Sequence, residues 1–262
     1  MSSDPLTLFN LRGPTCEKRI GVPSGSLLPV AGVMAARASD ALRPMPTFQG
    51  PVTLTGRWIR LEPLTVAHAA PLREACHDPE VRRYLLYSPG ETLDEMRALI
   101  ARYLEAQRAG TVLPFVTVLR ANHRPIGMTN FARIDRENYS VEVGGTWIDS
   151  AYWRSPVNTE SKYLLFRHAF EVEGVHRVSL QTNLKNDRAQ RAIARVGATR
   201  EAVFRDDKLL SDGSFRTSVV YGLLVTEWPG VKRDLEEKLA RPWSATSAGP
   251  TEAGGPVRNL DP

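Results

Sequence analysis

The sequence predicts one mixed α/β domain built on a mostly antiparallel sheet with a single parallel crossover. Three observations carry this. Between Phe48 and Trp243, short apolar runs of strand length alternate with stretches of helical period, separated by Gly, Pro and Asn. Residues 140–182 read strand, helix, strand, a unit that closes as a right-handed parallel crossover. The strands on either side of it follow one another through short turns, as antiparallel neighbours do.

The elements can be justified in order. Leu54–Glu62 (LTGRWIRLE) reads as one strand. Thr65 to Cys76 has an N-cap Thr and apolar residues at helical spacing. A short helix starts at Asp78-Pro79, with Asp as cap and Pro in the first turn. A longer one runs from Thr92 to Ala109 and stops at Gly110. Val112–Leu119 and Pro125–Ile134 are strands joined by a turn at Ala121 to Arg124, and Ser140–Ile148 is a strand interrupted by Gly144-Gly145. Val157 to Val172 is a broad apolar helix, and Arg177–Thr182 alternates as a strand. Asn186 caps an amphipathic helix with Ala189, Ala192, Ile193 and Val196 on one face, ended by Gly197. Thr199–Arg205 and Phe215–Leu224 are strands around a turn at Asp212-Gly213, and a polar helix follows.

The two ends read differently. Residues 1–47 are rich in Pro, Gly and Ser without a sustained period, and 244–262 are Ser, Ala, Gly, Pro and Thr with few apolar residues. Such compositions do not repay the entropy of ordering, so the expected organisation is a disordered or mis-called leader (1–47), one domain (48–243) and a disordered tail (244–262). The 262 residues are 42% hydrophobic and 24% charged, with 34 Lys+Arg against 29 Asp+Glu, a net charge of only +5 spread along the chain. Without a clustered basic stripe no nucleic-acid partner is expected. No apolar stretch is long enough to span a bilayer. Cys16 and Cys76 cannot make a disulfide framework and have no metal-ligand neighbours, so the expectation is a cytoplasmic, metal-free protein.

The chemistry concentrates between residues 140 and 197. Glycine inside a strand marks a bulge or a close backbone approach, so Gly144-Gly145 leaves backbone groups free to pair with an extended ligand. The segment Trp153-Arg154-Ser155-Pro156-Val157-Asn158-Thr159-Glu160 opens a helix just after a strand's C-terminal end. Its first-turn N–H groups and Arg154 suit a phosphate. A capped helix start with a solvated Arg154 reads equally from the same residues.

In combination these segments resemble the GNAT superfamily of N-acetyltransferases, and within it the branch of ribosomal-protein N-terminal acetyltransferases (RimJ/RimL-like). The carriers are LTGRWIRLEPLT, VEVGGTWID, YWRSPVNTESKYLLFRHAFE, HRVSLQTNLKNDRAQRAIARVGATREAVFR and DGSFRTSVVYGLLVTEW, in that order across residues 52–230. The resemblance implies acetyl-CoA bound where the fourth and fifth strands splay apart. Pantetheine would pair with backbone at Trp147 and Ile148. The pyrophosphate would rest on Arg154, Ser155, Val157, Asn158 and Thr159, with Asn186 opening the next helix beside it. Arg82, Tyr84, Asn130 and Tyr221 would line the acceptor pocket, and a homodimer is compatible with the family. The chain departs from the pattern at Pro156 and Asn158, which stand where the pyrophosphate loop has small residues, and at Ile193, where many members have a tyrosine.

Acetyl transfer needs a neutral amine, and an alkylamine is mostly protonated near pH 7, so a base must take the proton. Glu142, two residues before the glycine pair, resembles the family's position for that base. The expected activity is therefore acetyl transfer from acetyl-CoA to a primary amine, a protein N-terminus or a small molecule. A non-catalytic acyl-CoA-binding module with a degenerate site is the alternative.

Overall fold

The computed structural model describes residues 44–86, 91–210 and 213–243. The expectations for 1–43, for Asp212 and for 244–262 lie outside these residues. The strands are β1 (Leu54–Thr55), β2 (Ile59–Pro63), β3 (Val112–Leu119), β4 (Pro125–Asp135), β5 (Ser140–Ile148), β6 (Arg177–Asn183), β7 (Thr199–Leu209) and β8 (Phe215–Leu224). They form one sheet in the order β1-β2-β3-β4-β5-β6-β8-β7. Every pair is antiparallel except β5–β6, the predicted crossover.

One expectation needs correction. Leu54–Glu62 is two strands, β1 and β2, paired through a tight turn in which the Gly56 N–H donates to Ile59 C=O at 2.9 Å. The turn is stabilised from a distance by Glu160, which local alternation does not reveal. Its buried carboxylate accepts from the backbone N–H groups of Arg57, Trp58 and Ile59. Gly56 is required there, because a Cβ would lie 2.4 Å from the Glu160 carboxyl carbon.

The helices are α1 (Ala69–Ala75), α2 (Pro79–Arg82), α3 (Leu93–Arg108), α4 (Val157–Arg167), α5 (Asp187–Arg195) and α6 (Trp228–Ala240). A 3-10 turn, Val66–His68, leads into α1, and a π-helical segment, His168–Val172, continues α4. The caps are those the sequence announces. Asp78 accepts from the Glu80 N–H, Thr92 and Glu95 form a capping box, and Asn186 Oδ1 accepts from the Ala189 N–H at 3.0 Å. Gly197, at φ +91°, ends α5 in the left-handed conformation. The polar reading of α6 misses its anchor: Trp228 is buried, stacks on Phe170 and donates to Glu171 from Nε1.

Two apolar layers cover the sheet. One joins α4, α5 and α6 to Leu113, Phe115, Phe131, Val141, Val143, Val178, Leu180, Val219 and Tyr221. The other joins α1–α3 to Val112, Val116, Val118, Met128, Ala132 and Trp147. With both faces covered, β3 is buried along its whole length. From Met45 onward the described residues belong to one compact unit. Among them no helix is long and apolar enough to cross a membrane.

Candidate functional site

The parallel pairing of β5 with β6 is short: Ser140, Val141 and Glu142 face Arg177, Val178 and Ser179, and there the register stops. β5 runs on to Ile148 and β6 to Asn183, each paired only on its outer side. The two strands therefore splay beyond Glu142. They are the fourth and fifth strands of the sequence reading, numbered one higher because the first is a hairpin.

On the far side of β5 the register slips between Met128 and Asn130 of β4, so that Thr129 stands opposite both Gly145 and Thr146. Gly145 has φ +57°, the left-handed glycine of a strand bulge. Beyond the bulge, the Asp149 N–H donates to Ile126 C=O at 2.8 Å. Backbone direction alternates along a strand, so Trp147 directs its N–H and C=O to Met128, and Ile148 directs its own into the gap. Of the two residues expected to meet pantetheine, Ile148 is thus the one whose backbone faces it. Its carbonyl accepts from Trp153 Nε1 at 3.0 Å, which leaves the N–H as the gap-facing group to consider.

The bulge also rests on a residue that the sequence reading passed over. Lys162, buried in α4, donates from Nζ to Thr146 Oγ1 at 2.6 Å, and Thr146 Oγ1 lies 2.8 Å from Thr129 Oγ1. Burial lowers the Lys162 amine to about 7. A lysine inside an otherwise apolar helix was the available signal.

The segment after β5 reaches α4 through Asp149, whose Oδ1 accepts from the Ala151 N–H. Arg154 is exposed with φ +62°. Ser155 Oγ donates to Tyr152 C=O at 2.6 Å and accepts from the Val157 N–H at 3.3 Å. With Pro156 lacking a donor and Val157 engaged by Ser155, the first-turn N–H groups left for an anion are those of Asn158 and Thr159. Val157 and Thr159 are buried and Asn158 is half-buried, so the contribution at these positions is backbone. Asn186 uses Oδ1 as the α5 cap. Beside it the Arg188 guanidinium lies 3.3 Å from the centre of the Trp153 ring, joining α5 to the loop after β5. Sequence reasoning found Trp153 and Arg188 as chain positions only, since their pairing crosses the splay.

Glu142 sits at the neck of the splay, on the sheet face of Ala132 and opposite the Val141/Val143 side. Its side chain is 15% exposed. Oε2 is buried with no hydrogen-bond partner, and the nearest cation is Arg133, with Nε at 3.4 Å. Burial pushes the Glu142 carboxyl up, against the pull of Arg133, Arg216 and Lys208 and with a small push from Asp207. A carboxylate held this way is poised to accept a proton.

The expected acceptor-lining residues divide. Asn130 is buried directly across from Gly144, on the Glu142 face. Arg82 pairs with Glu91 at 3.1 Å, and Tyr84 lies half-buried under the Arg83 guanidinium, both at the α2 end. Tyr221 belongs to the other face: it packs in the α4–α6 layer, with its hydroxyl 3.5 Å from Gln190 of α5. The structure therefore does not bring Tyr221 together with Glu142. The residues missed on the Glu142 face are Lys208, Asp207 and Arg216, which lie far along the chain and arrive through the bend of the β7–β8 hairpin. Among the described residues no group of His, Cys, Asp and Glu is arranged to hold a metal.

Comparison with known proteins agrees with this architecture. Residues 59–199 match the family model described as Acetyltransferase (GNAT) domain. A protein from T. thermophilus whose structure is titled as an acetyltransferase is 38% identical, with TM-score 0.68 over 73% of this chain and 99% of its own. A GCN5-related N-acetyltransferase from Brucella melitensis is 26% identical, with TM-score 0.68 over 74% and 87%. Mycobacterium smegmatis RimJ, solved in complex with CoA-disulfide, shares the fold at 17% identity, with TM-score 0.62 over 71% and 91%. No curated protein matches.

Proposed function

The chain belongs to the GNAT acetyltransferase family and is by that membership an acyltransferase, and from this premise we propose that it moves an acetyl group from acetyl-CoA directly to a primary amine with Glu142 as the base. The observation that carries the proposal is the buried, unpartnered Glu142 Oε2 at the neck of the β5–β6 splay. Acetyl-CoA enters this reading as substrate. The gap gives it the Ile148 N–H for pantetheine, and the α4 start gives its pyrophosphate Asn158, Thr159 and Arg154. Asn186 and the Arg188–Trp153 contact bound the other side.

The chemistry balances without a further group. The amine nitrogen forms the N–C bond, the C–S bond breaks, the electron pair leaves on the CoA sulfur, and the amine proton passes to Glu142. The acceptor is a protein N-terminus, as in the RimJ/RimL-like branch, or a small-molecule amine, in a cytoplasmic setting. Asn130, Arg82 and Tyr84 lie on the acceptor side of this arrangement. The binding-module alternative rested on Pro156 and Asn158, and family membership does not favour it. The domain proposed to do this work spans residues 48–243, and a homodimer is compatible with it.

The test is a panel of amines and N-terminal peptides scored for free CoA release, beside calorimetric titration of acetyl-CoA. Cofactor binding with amine-dependent CoA release is the expected result. No acetyl-CoA binding at millimolar concentration would overturn the reading.

A further inference from the structure

The Glu142 face carries more charge than an amine needs. β7 advances four residues between Phe204 and Lys208 while β8 advances two between Ser218 and Arg216, so β7 bulges at Arg205–Asp207 and the hairpin bends. The bend sets Lys208 directly across from Arg216. It also brings Lys208, Asp207 and Arg216 within electrostatic reach of Glu142, where Arg133 already stands.

Arg216 is only 6% exposed, and its buried Nε has no hydrogen-bond partner. Asp207 Oδ1 and Ser218 Oγ, the latter two residues along the same face of β8, are buried without partners as well. Lys208 reaches Asp207 Oδ2 only at 3.7 Å. Three cations therefore share the pocket with two carboxylates, one of which must be free to take a proton. A buried guanidinium with an empty donor is costly unless an anion completes it. The fork of Arg matches a carboxylate in particular.

Resting on the reading of Glu142 as the base, we propose that the acceptor bears a carboxylate close to its amine, held by Arg216 with Lys208 while the amine lies on Glu142. The chemical class is an acidic amino compound: a free acidic amino acid or a peptide whose first residue is acidic. Asp207 and Ser218 then orient the fork or accept from the substrate.

The experiment compares acceptors that differ only in this charge: aspartate with asparagine, glutamate with glutamine, and peptides beginning with Asp or Glu with those beginning with Asn or Gln. Acetylation of the acid is expected to exceed that of the amide by about tenfold or more in kcat/KM, and Arg216→Gln is expected to pull that ratio toward one. A preference confined to free amino acids, or to peptides, supports the proposal and identifies the source of the carboxylate. Should Arg216→Gln fail to fold, wild-type binding of N-acetyl-aspartate against N-acetyl-asparagine with CoA present, measured by calorimetry, decides the same question. Equal rates and equal binding for acid and amide overturn the proposal while leaving the acetyl-transfer reading in place. Absence of any amine-dependent CoA release overturns both.

Discussion

Two buried glutamates divide the molecule into a part that holds and a part that reacts. Glu160, in the first turn of α4, commits its carboxylate to three backbone N–H groups of the β1–β2 turn. Glu142, on β5, has a buried oxygen with no hydrogen-bond partner and stands where β5 and β6 separate. Burial raises both carboxyls, Glu160 against the pull of its N–H donors and Glu142 against that of its cations. Each has a glycine packed against it: Gly56 beside Glu160, Gly144 beside Glu142. The chemical group is the same, and what differs is whether the fold has already used its lone pairs. A satisfied carboxylate is a clip, and an unsatisfied one is a reagent.

The largest expected effect follows from removing the reagent. Glu142→Gln should lower kcat/KM roughly a hundred- to ten-thousand-fold, the usual scale for losing a general base. In the wild type, kcat/KM should fall as pH drops through the raised Glu142 pKa, so the acid limb lies above the ordinary carboxylate range. The variant should lose that limb. The sign for stability runs the other way. A carboxyl raised on folding favours the fold below its unfolded pKa, and that contribution is lost as pH rises through the folded value. Melting of Glu142→Gln at pH 8 should thus be unchanged or higher, and a clear drop in Tm would mean that Glu142 is structural.

The clip should give the opposite pattern. Glu160→Ala leaves three backbone N–H groups without their acceptor, at a cost of about 3 kcal/mol in denaturant unfolding. Its kcat/KM, measured well below its melting temperature, should stay within a few-fold of wild type. A loss of turnover as deep as that of Glu142→Gln would erase the distinction.

The glycines sharpen the comparison at the smallest scale. Gly56→Ala would set a Cβ 2.4 Å from the Glu160 carboxyl carbon and should cost about 1–3 kcal/mol of stability. Gly144→Ala would meet only Glu142 Oε1, at 3.0 Å, the far end of a flexible side chain. Its expected outcome is a several-fold fall in kcat/KM with less than about 1 kcal/mol lost in unfolding, because the carboxylate moves and the backbone does not. Equal stability losses for the two variants would contradict the contrast.

Residues read along the chain were enough for the order of elements, the caps at Asp78, Thr92 and Asn186, the stop at Gly197 and the parallel crossover. Each is a local signal, a side chain acting within four residues of its own backbone or an apolar period read along one segment. Glu142 and the glycine pair were legible too, on the strand that splays, because glycine in a strand is visible as a break in alternation. Packing in three dimensions was needed to make Leu54–Glu62 a hairpin, since the carboxylate that turns it comes from Glu160, about a hundred residues on. It separated Ile148 from Trp147, because backbone direction depends on the register with β4, and it turned Tyr221 away to the other face. Lys162, Arg188, Lys208 and Arg216 were ordinary charged residues in the chain. Burial and strand pairing gave them their neighbours, and a charge acquires a role only from what surrounds it.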